Sequence, residues 1–269
     1  MNIYLELTRE FNANGTCAIL SSGQAVVMHG LAIMSKDGDW ILREEPKAMD
    51  RVLEVLEKRR AHYRFGAPLD LKWMRGGWSA HFEFRHQNLR VRTDFVTRPP
   101  RLSAARLEAL WRQRSSDPIA FVGAADLAEL KKTNREKDYA VIGELARLIE
   151  DPSGQILLSR SARDLIELSE RHPDLVASLS PRRPALAAAS KGREQLEAAL
   201  DEERRRLMRA NEERLKSYMD AAAPWAALWP EVEQEISGMP LREGHEYILS
   251  RAEGILPPRV EGDHGRDAG

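Results

Sequence analysis

The hydrophobic pattern of the first half of the chain switches between two periods, and it predicts a mixed α/β domain. Apolar residues recur at every second position in 78–84 and again in 89–93, which is typical of half-buried strands. Spacings of three and four residues in 45–61 instead predict an amphipathic helix. Short apolar runs at 16–20 and 39–44 predict two further strands, with a helix between them.

Beyond about residue 151 the pattern contains helical periods only. The stretch 185–223 predicts one long charged helix whose apolar stripe is interrupted by Asn211. The stripe consists of Leu196, Leu200, Leu207, Leu215 and Tyr218. Such a stripe either packs on the helix's own protein or, at heptad-like spacing, binds a partner protein. We therefore expect an α/β domain at 1–150, an all-helical C-terminal region at 151–256 and a disordered tail at 257–269.

Composition and charge narrow the function classes. The chain has 269 residues, 42% of them hydrophobic and 31% charged, which supports a packed core. Its formal net charge of -1 gives no electrostatic indication of nucleic-acid or membrane binding. The single cysteine, Cys17, excludes an internal disulfide and a cysteine-based zinc site. With no signal-peptide pattern and no apolar run approaching the ~18 residues of a membrane helix, we expect a soluble cytoplasmic protein.

The candidate chemistry begins in the stretch "MSKDGDWIL", where two aspartates precede an apolar run. Residues i and i+2 of a strand point to the same face, so Asp37 and Asp39 can project together. Two carboxylates at that spacing suit Mg²⁺, which takes one or two carboxylates together with substrate phosphate oxygens. Aspartate and glycine before a strand are also typical of a plain turn, and this structural interpretation stays open.

Two further features stand at matching places in the sequence. Ser22 and Gly23 lie between a predicted strand and a predicted helix, where small residues and free N–H groups favour phosphate. Asp94 lies in "RVRTDFVT", a predicted strand that could pair beside the strand of Asp37 and Asp39. Such a pairing would bring a third carboxylate to the same edge. Two metal ions held there would activate a nucleophile and support an in-line phosphoryl displacement.

The order of these elements resembles the DNA polymerase beta-type nucleotidyltransferase superfamily. The stretch "ILSSGQAVVMHGLAIMSKDGDWIL" is similar to its opening motif, in which a small-residue turn precedes A-x-x-x-H-G and then D-x-D. The similarity is greatest to the small bacterial branch that includes abortive-infection and toxin–antitoxin nucleotidyltransferases. The stretch "DLAELKKTNREKDYAVIGEL", which contains Lys131, resembles the helical motif that closes this domain.

The resemblance implies transfer of a nucleoside monophosphate from an NTP, with Mg²⁺ as cofactor and pyrophosphate as product. Asp37, Asp39 and Asp94 would be the catalytic and metal-binding residues, with Asp94 helping to activate the acceptor hydroxyl. The implied nucleotide contacts are Ser22, Gly23 and Lys131. The acceptor stays open between RNA, a protein and a small molecule. A toxin–antitoxin or phage-defence setting and a partner protein on the long helix also stay open.

Departures from the family pattern favour a second hypothesis. In it the chain is a catalytically inactive nucleotide-binding or protein-interaction module on the same fold. Ile33 stands where relatives often carry arginine, which removes one phosphate contact. Gly38 replaces an apolar residue between the aspartates, and we expect it to weaken strand packing there.

Several other residues have both a functional and a structural interpretation. His29 and Lys132 could contact substrate or serve the fold, and Trp73 and Trp78 could stack on a base or fill the core. Asp70 and Glu83 are rival acids.

Overall fold

The computed structural model describes residues 2–112 and 119–260, and it confirms the predicted α/β class. The strands are β1 (Ala18–Ser21), β2 (Asp37–Leu42), β3 (His62–Tyr63), β4 (Ala80–His86) and β5 (Leu89–Val96). The helices up to residue 147 are α1 (Ile3–Phe11), α2 (Ser22–Met28), α3 (Pro46–Lys58), α4 (Leu71–Met74), α5 (Ala104–Arg112), α6 (Ala124–Leu130) and α7 (Glu136–Arg147). Those that follow are α8 (Pro152–Leu158), α9 (Ala162–Arg171), α10 (Pro173–Leu179), α11 (Arg193–Glu235) and α12 (Leu241–Ala252).

The strands form a mixed five-stranded sheet in the order β1-β2-β5-β4-β3. The central pair, β2 and β5, is parallel, and the other neighbouring strands are antiparallel. One face of this sheet is the core, where the Trp40 ring stacks on Phe95 with centroids 5.3 Å apart. Phe82 also meets Phe95 edge to face. The opposite face, which we call the open face, carries the half-exposed polar residues that alternate with these aromatic side chains.

Contacts divide the chain into two compact units. Unit 1 comprises Met1–Met28, Ala32–Val122 and Lys216–Gly269, and unit 2 comprises His29–Leu31 and Gly123–Leu215. The domain boundary expected at residue 150 therefore falls inside unit 2. Each unit has its own buried apolar cluster.

Unit 2 has an apolar core and a buried ion pair. Ile156, Leu165 and Leu196 are fully buried in the core. The Arg183 guanidinium lies 3.0 Å from Glu203 and also donates to two backbone carbonyls. Because every one of these bonds is made away from water, the pair is a structural feature of this unit.

The long helix differs from the prediction at both ends. Residues 184–191 form a 3₁₀ helix, and Gly192 separates it from α11 with a φ of 106°. At its other end α11 runs on to Glu235, through Pro224 and Pro230. A proline inside a helix costs about 3 kcal/mol. Burial of the Trp225 and Trp229 rings in unit 1 offsets that cost.

The first residues of the tail expected at 257–269 are packed on the fold. The Trp78 indole donates a 2.9 Å hydrogen bond to the carbonyl of Pro257, and Val260 is buried. Residues 261–269 lie outside the described residues, and the disordered tail there stays a prediction. Over the described ranges, no helix is long and apolar enough to cross a membrane.

Candidate active site

Four residues are aligned in a row across the open face of the sheet. Ser21 of β1 is paired with Asp39 of β2, Asp39 with Asp94 of β5, and Asp94 with His81 of β4. Paired residues on adjacent strands lie about 4.8 Å apart and project to the same face. Asp37 projects to that face as well, two residues before Asp39. The parallel pairing of β2 with β5 thus brings the three aspartates of the sequence analysis together.

The Tyr4 phenol lies beside the start of β2. Its hydroxyl donates a hydrogen bond to the carbonyl of Lys36, directly before β2. Burial, and then the negative charge of Asp37, raises the pKa of Tyr4 to about 12, with smaller contributions from Asp39 and Asp94. Each of the three carboxylates is therefore near enough to disfavour ionisation of this hydroxyl.

The small-residue turn before α2 adjoins the same region. Ser22 has a φ of 49°, in the left-handed region that side chains rarely occupy. A Cβ atom on Gly23 would lie 2.2 Å from the Ser35 hydroxyl, so a side chain at this position would displace that hydroxyl. The Gln24 amide donates to the carbonyls of Ser35 and Asp37, at 3.0 and 3.3 Å. The turn is therefore fixed to the segment that leads into the two aspartates.

Positively charged and imidazole groups balance the aspartates. The Arg64 guanidinium and the His81 ring both bind Asp94 Oδ1, at 3.2 and 2.7 Å. Arg92 lies 4.0 Å from Asp37. The sequence analysis did not select Arg64 or His81. The alternation of β4 and β5 already put His81 on the polar face of its strand, but the antiparallel register that aligns it with Asp94 comes from the structure.

The donor set is suited to Mg²⁺, although the metal geometry is not preformed. Among the described residues, no group of three His, Cys, Asp or Glu side chains is arranged to hold a metal ion. Mg²⁺ usually needs one or two carboxylates, with water and substrate phosphate oxygens completing its shell. Asp37 and Asp39 meet that requirement, because they share a strand face and the Asp37 side chain is 44% exposed.

The lysines of the sequence analysis lie in unit 2. The Lys131 ammonium is 3.5 Å from Asp138, and both side chains are buried. Lys132 is paired with Glu129 at 2.6 Å, and its burial lowers the pKa of the ammonium. A nucleotide contact by Lys131 stays a prediction. His29, which is half-buried, also belongs to unit 2.

The rival acids have identifiable roles. Asp70 caps α4 by accepting a hydrogen bond from the backbone N–H of Lys72. Glu83 lies on the open face but is bound by Arg90 and His62. Although burial opposes it, the hydrogen bond from Arg90 keeps the pKa of Glu83 below its usual range. Neither acid belongs to the row formed by Asp39 and Asp94.

The aromatic residues and glycine near the site serve packing. Trp73 and Trp78 are buried, and each indole donates to a backbone carbonyl, which places both in the core. Contrary to our expectation, Gly38 does not leave a gap, because a Cβ there would lie 2.4 Å from the Trp40 ring and 2.5 Å from Tyr4. The side chain of Ile33, which stands where the resemblance implies an arginine, is 99% exposed.

Comparisons with known proteins do not assign a family. No family model matches the sequence, and no curated protein matches it. Two solved structures from Helicobacter pylori each show 12% sequence identity and a TM-score of 0.39. One, named a "putative nucleotidyltransferase", aligns over 96% of its own chain and 78% of this one. The other, JHP933, aligns over 93% of its chain and 79% of this one. At this level the likeness establishes neither a family nor an activity.

Proposed function

We propose that this protein is a Mg²⁺-dependent nucleotidyltransferase that transfers a nucleoside monophosphate from an NTP to an acceptor hydroxyl. The observation that carries the proposal is the pairing of Asp39 with Asp94 on parallel neighbouring strands, with Asp37 on the same face. Three carboxylates so placed, beside a turn of small residues, favour phosphoryl transfer over other chemistry.

Each residue then has a distinct role. Asp37 and Asp39 would hold Mg²⁺ together with the triphosphate, and Asp94 would complete the carboxylate set. Bound Mg²⁺ neutralises phosphate charge and favours ionisation of the acceptor hydroxyl. Asp94 accepts the proton of that hydroxyl, and the backbone of Ser22 and Gly23 contacts the triphosphate. The new bond joins the acceptor oxygen to the α-phosphorus, and pyrophosphate leaves.

One observation favours the second candidate, an inactive nucleotide-binding or protein-interaction module. Arg64 and His81 already satisfy one oxygen of Asp94, and Arg92 lies near Asp37. In an inactive module these groups would replace the metal as the partners of the aspartates. Nucleotide would then bind without being cleaved.

The test is transfer of label from each of the four α-labelled NTPs. The purified protein is incubated with Mg²⁺ and, separately, with cell RNA, lysate protein or a small-molecule extract. We expect label in one acceptor fraction, lost when EDTA removes the metal. Nucleotide binding by calorimetry without transfer to any fraction would contradict the enzyme and support the inactive module. The class of acceptor that becomes labelled would also help to test a toxin–antitoxin or phage-defence setting.

A further inference from the structure

A hydrogen-bonded chain of side chains extends from Asp94 along the open face. The His81 Nδ1 atom lies 2.7 Å from Asp94 Oδ1, and the His81 Nε2 atom lies 2.8 Å from the Ser79 hydroxyl oxygen. Ser79 directly precedes β4, two residues before His81, and His81 is paired directly with Asp94. Both contacts have the length of good hydrogen bonds.

This hydrogen-bonded chain fixes which ring nitrogen of His81 carries a hydrogen. An ionised carboxylate only accepts, so the Nδ1 atom of His81 must carry the hydrogen that points to Asp94. In the neutral ring the Nε2 atom then accepts the hydroxyl hydrogen of Ser79. Gly66 closes the site behind the ring, since a Cβ there would lie 2.5 Å from the His81 Cδ2 atom. The ring is therefore held on three sides.

The same hydrogen-bonded chain of side chains orients the carboxylate of Asp94. Within the described residues, both hydrogen bonds that Asp94 accepts end on Oδ1, one from His81 and one from Arg64. His81 lies on β4, so Oδ1 is bound from the side of β4. The strand on the other side of β5 is β2, which carries Asp39. Oδ2 is thus the oxygen left without either of these bonds.

We propose that His81, held by Ser79, is a positioning residue that fixes Asp94 with Oδ2 directed toward Asp39 and the acceptor hydroxyl. This inference rests on the proposed nucleotidyl transfer. Groups that orient a metal-binding or proton-accepting carboxylate typically change activity by about 10–100-fold when they are removed. His81 itself need not touch either substrate.

Kinetics of matched variants test the proposal. We expect His81→Ala to lower kcat by about 10–100-fold and to leave the KM for NTP within about twofold. His81→Asn should recover most of kcat, because its amide N–H can replace the Nδ1 donor. His86→Ala, on the same strand, is the control and should behave as the wild type. A kcat for His81→Ala within about twofold of wild type, or an Asn variant as slow as the Ala variant, would overturn the proposal.

A readout that does not depend on transfer separates this inference from the proposed function. In ¹⁵N-histidine NMR we expect the His81 ring, assigned by its loss in His81→Asn, to be in the Nδ1–H form and to shift in Asp94→Asn. An Nε2–H ring would overturn the hydrogen-bonded chain even if transfer occurs. If the protein transfers no label but its His81 ring is in the Nδ1–H form, the proposed function is refuted while the orientation of Asp94 is retained. Labelling of Ser79 by a fluorophosphonate would make it a nucleophile and overturn the positioning role.

Discussion

Gly38, between the two aspartates of β2, has no room for a side chain. On the core face the rings of Tyr4 and Trp40 occupy the space that a Cβ atom would need. The glycine lets α1 pack directly on the strand that carries Asp37 and Asp39. Close packing at one residue thus fixes the position of the two carboxylates on the other face.

We expect Gly38→Ala to lower the free energy of unfolding by about 1–3 kcal/mol, the usual cost of overpacking a core. Chemical denaturation measures this change. Gly143→Ala is the matched control, since Gly143 lies inside α7 with only an ordinary contact at 3.9 Å, and alanine favours a helix. Equal effects of the two substitutions would contradict the packing of Tyr4 and Trp40 on β2.

The pKa of Tyr4 tests the convergence of the aspartates without any assay of activity. Asp37→Asn removes a nearby negative charge, so the pKa of Tyr4 should fall from about 12 toward that of an ordinary tyrosine. Ultraviolet pH titration, with Tyr4→Phe to identify the signal, measures the shift. An unchanged pKa would place Asp37 away from the phenol.

The raised pKa of Tyr4 also has a consequence for stability. The fold favours the neutral phenol, so its contribution is complete below the unfolded pKa of about 10 and is lost as pH rises through about 12. Between about pH 10 and 12 the free energy of unfolding of the wild type should therefore fall more steeply than that of Tyr4→Phe.

At the scale of elements, the hydrophobic pattern of each segment predicted those features that depend on that segment alone. Alternation in β4 and β5 gave both strands and the face that carries Asp94, because a half-buried strand leaves that pattern in its own residues. The pairing of β2 with β5 was a hypothesis based on two strands that carry aspartates, and its parallel direction comes from the structure. The bonds from His81 and Arg64 to Asp94 depend on register and on the position of β3, which no single segment encodes.

The end of α11 shows how packing overrides a local signal. Pro224 favours a helix end, and the predicted helix stopped before it. The buried rings of Trp225 and Trp229 continue the helix instead. Their burial depends on residues far away in the sequence, including Gly66, whose carbonyl accepts the Trp225 indole hydrogen.

The docking of α12 in unit 1 gives a second pH dependence, of opposite sign. The His245 Nδ1 atom lies 2.7 Å from the Tyr63 hydroxyl, and burial lowers the pKa of this imidazole below its ordinary value of 6.5. A lowered pKa means that the stabilising contribution is complete above about pH 6.5 and is lost as pH falls through the folded value. Thermal melts between acid and neutral pH should show this loss in the wild type and a weaker one in His245→Gln. Identical profiles would contradict a buried neutral ring.

At the scale of the whole molecule, the α/β class could be predicted while the division into units could not. The change from strand to helical periods near residue 150 suggested a boundary there. Contacts instead place Gly123–Leu215 together and return the chain to unit 1 from Lys216. That return depends on the tryptophans and α12 packing in the core of unit 1, which involves residues more than a hundred positions apart.

The most direct test of the account is label transfer by Asp39→Asn, measured together with its melting temperature. Asp39 is central to the claim because it pairs with Asp94 and shares its face with Asp37. Asp220→Asn, an exposed aspartate of α11, is the control. We predict that transfer falls by orders of magnitude in Asp39→Asn alone, with an unchanged or raised melting temperature, because relieving carboxylate repulsion costs the fold little. Undiminished transfer would contradict the site, and a lowered melting temperature with lost transfer would make Asp39 a structural residue of β2.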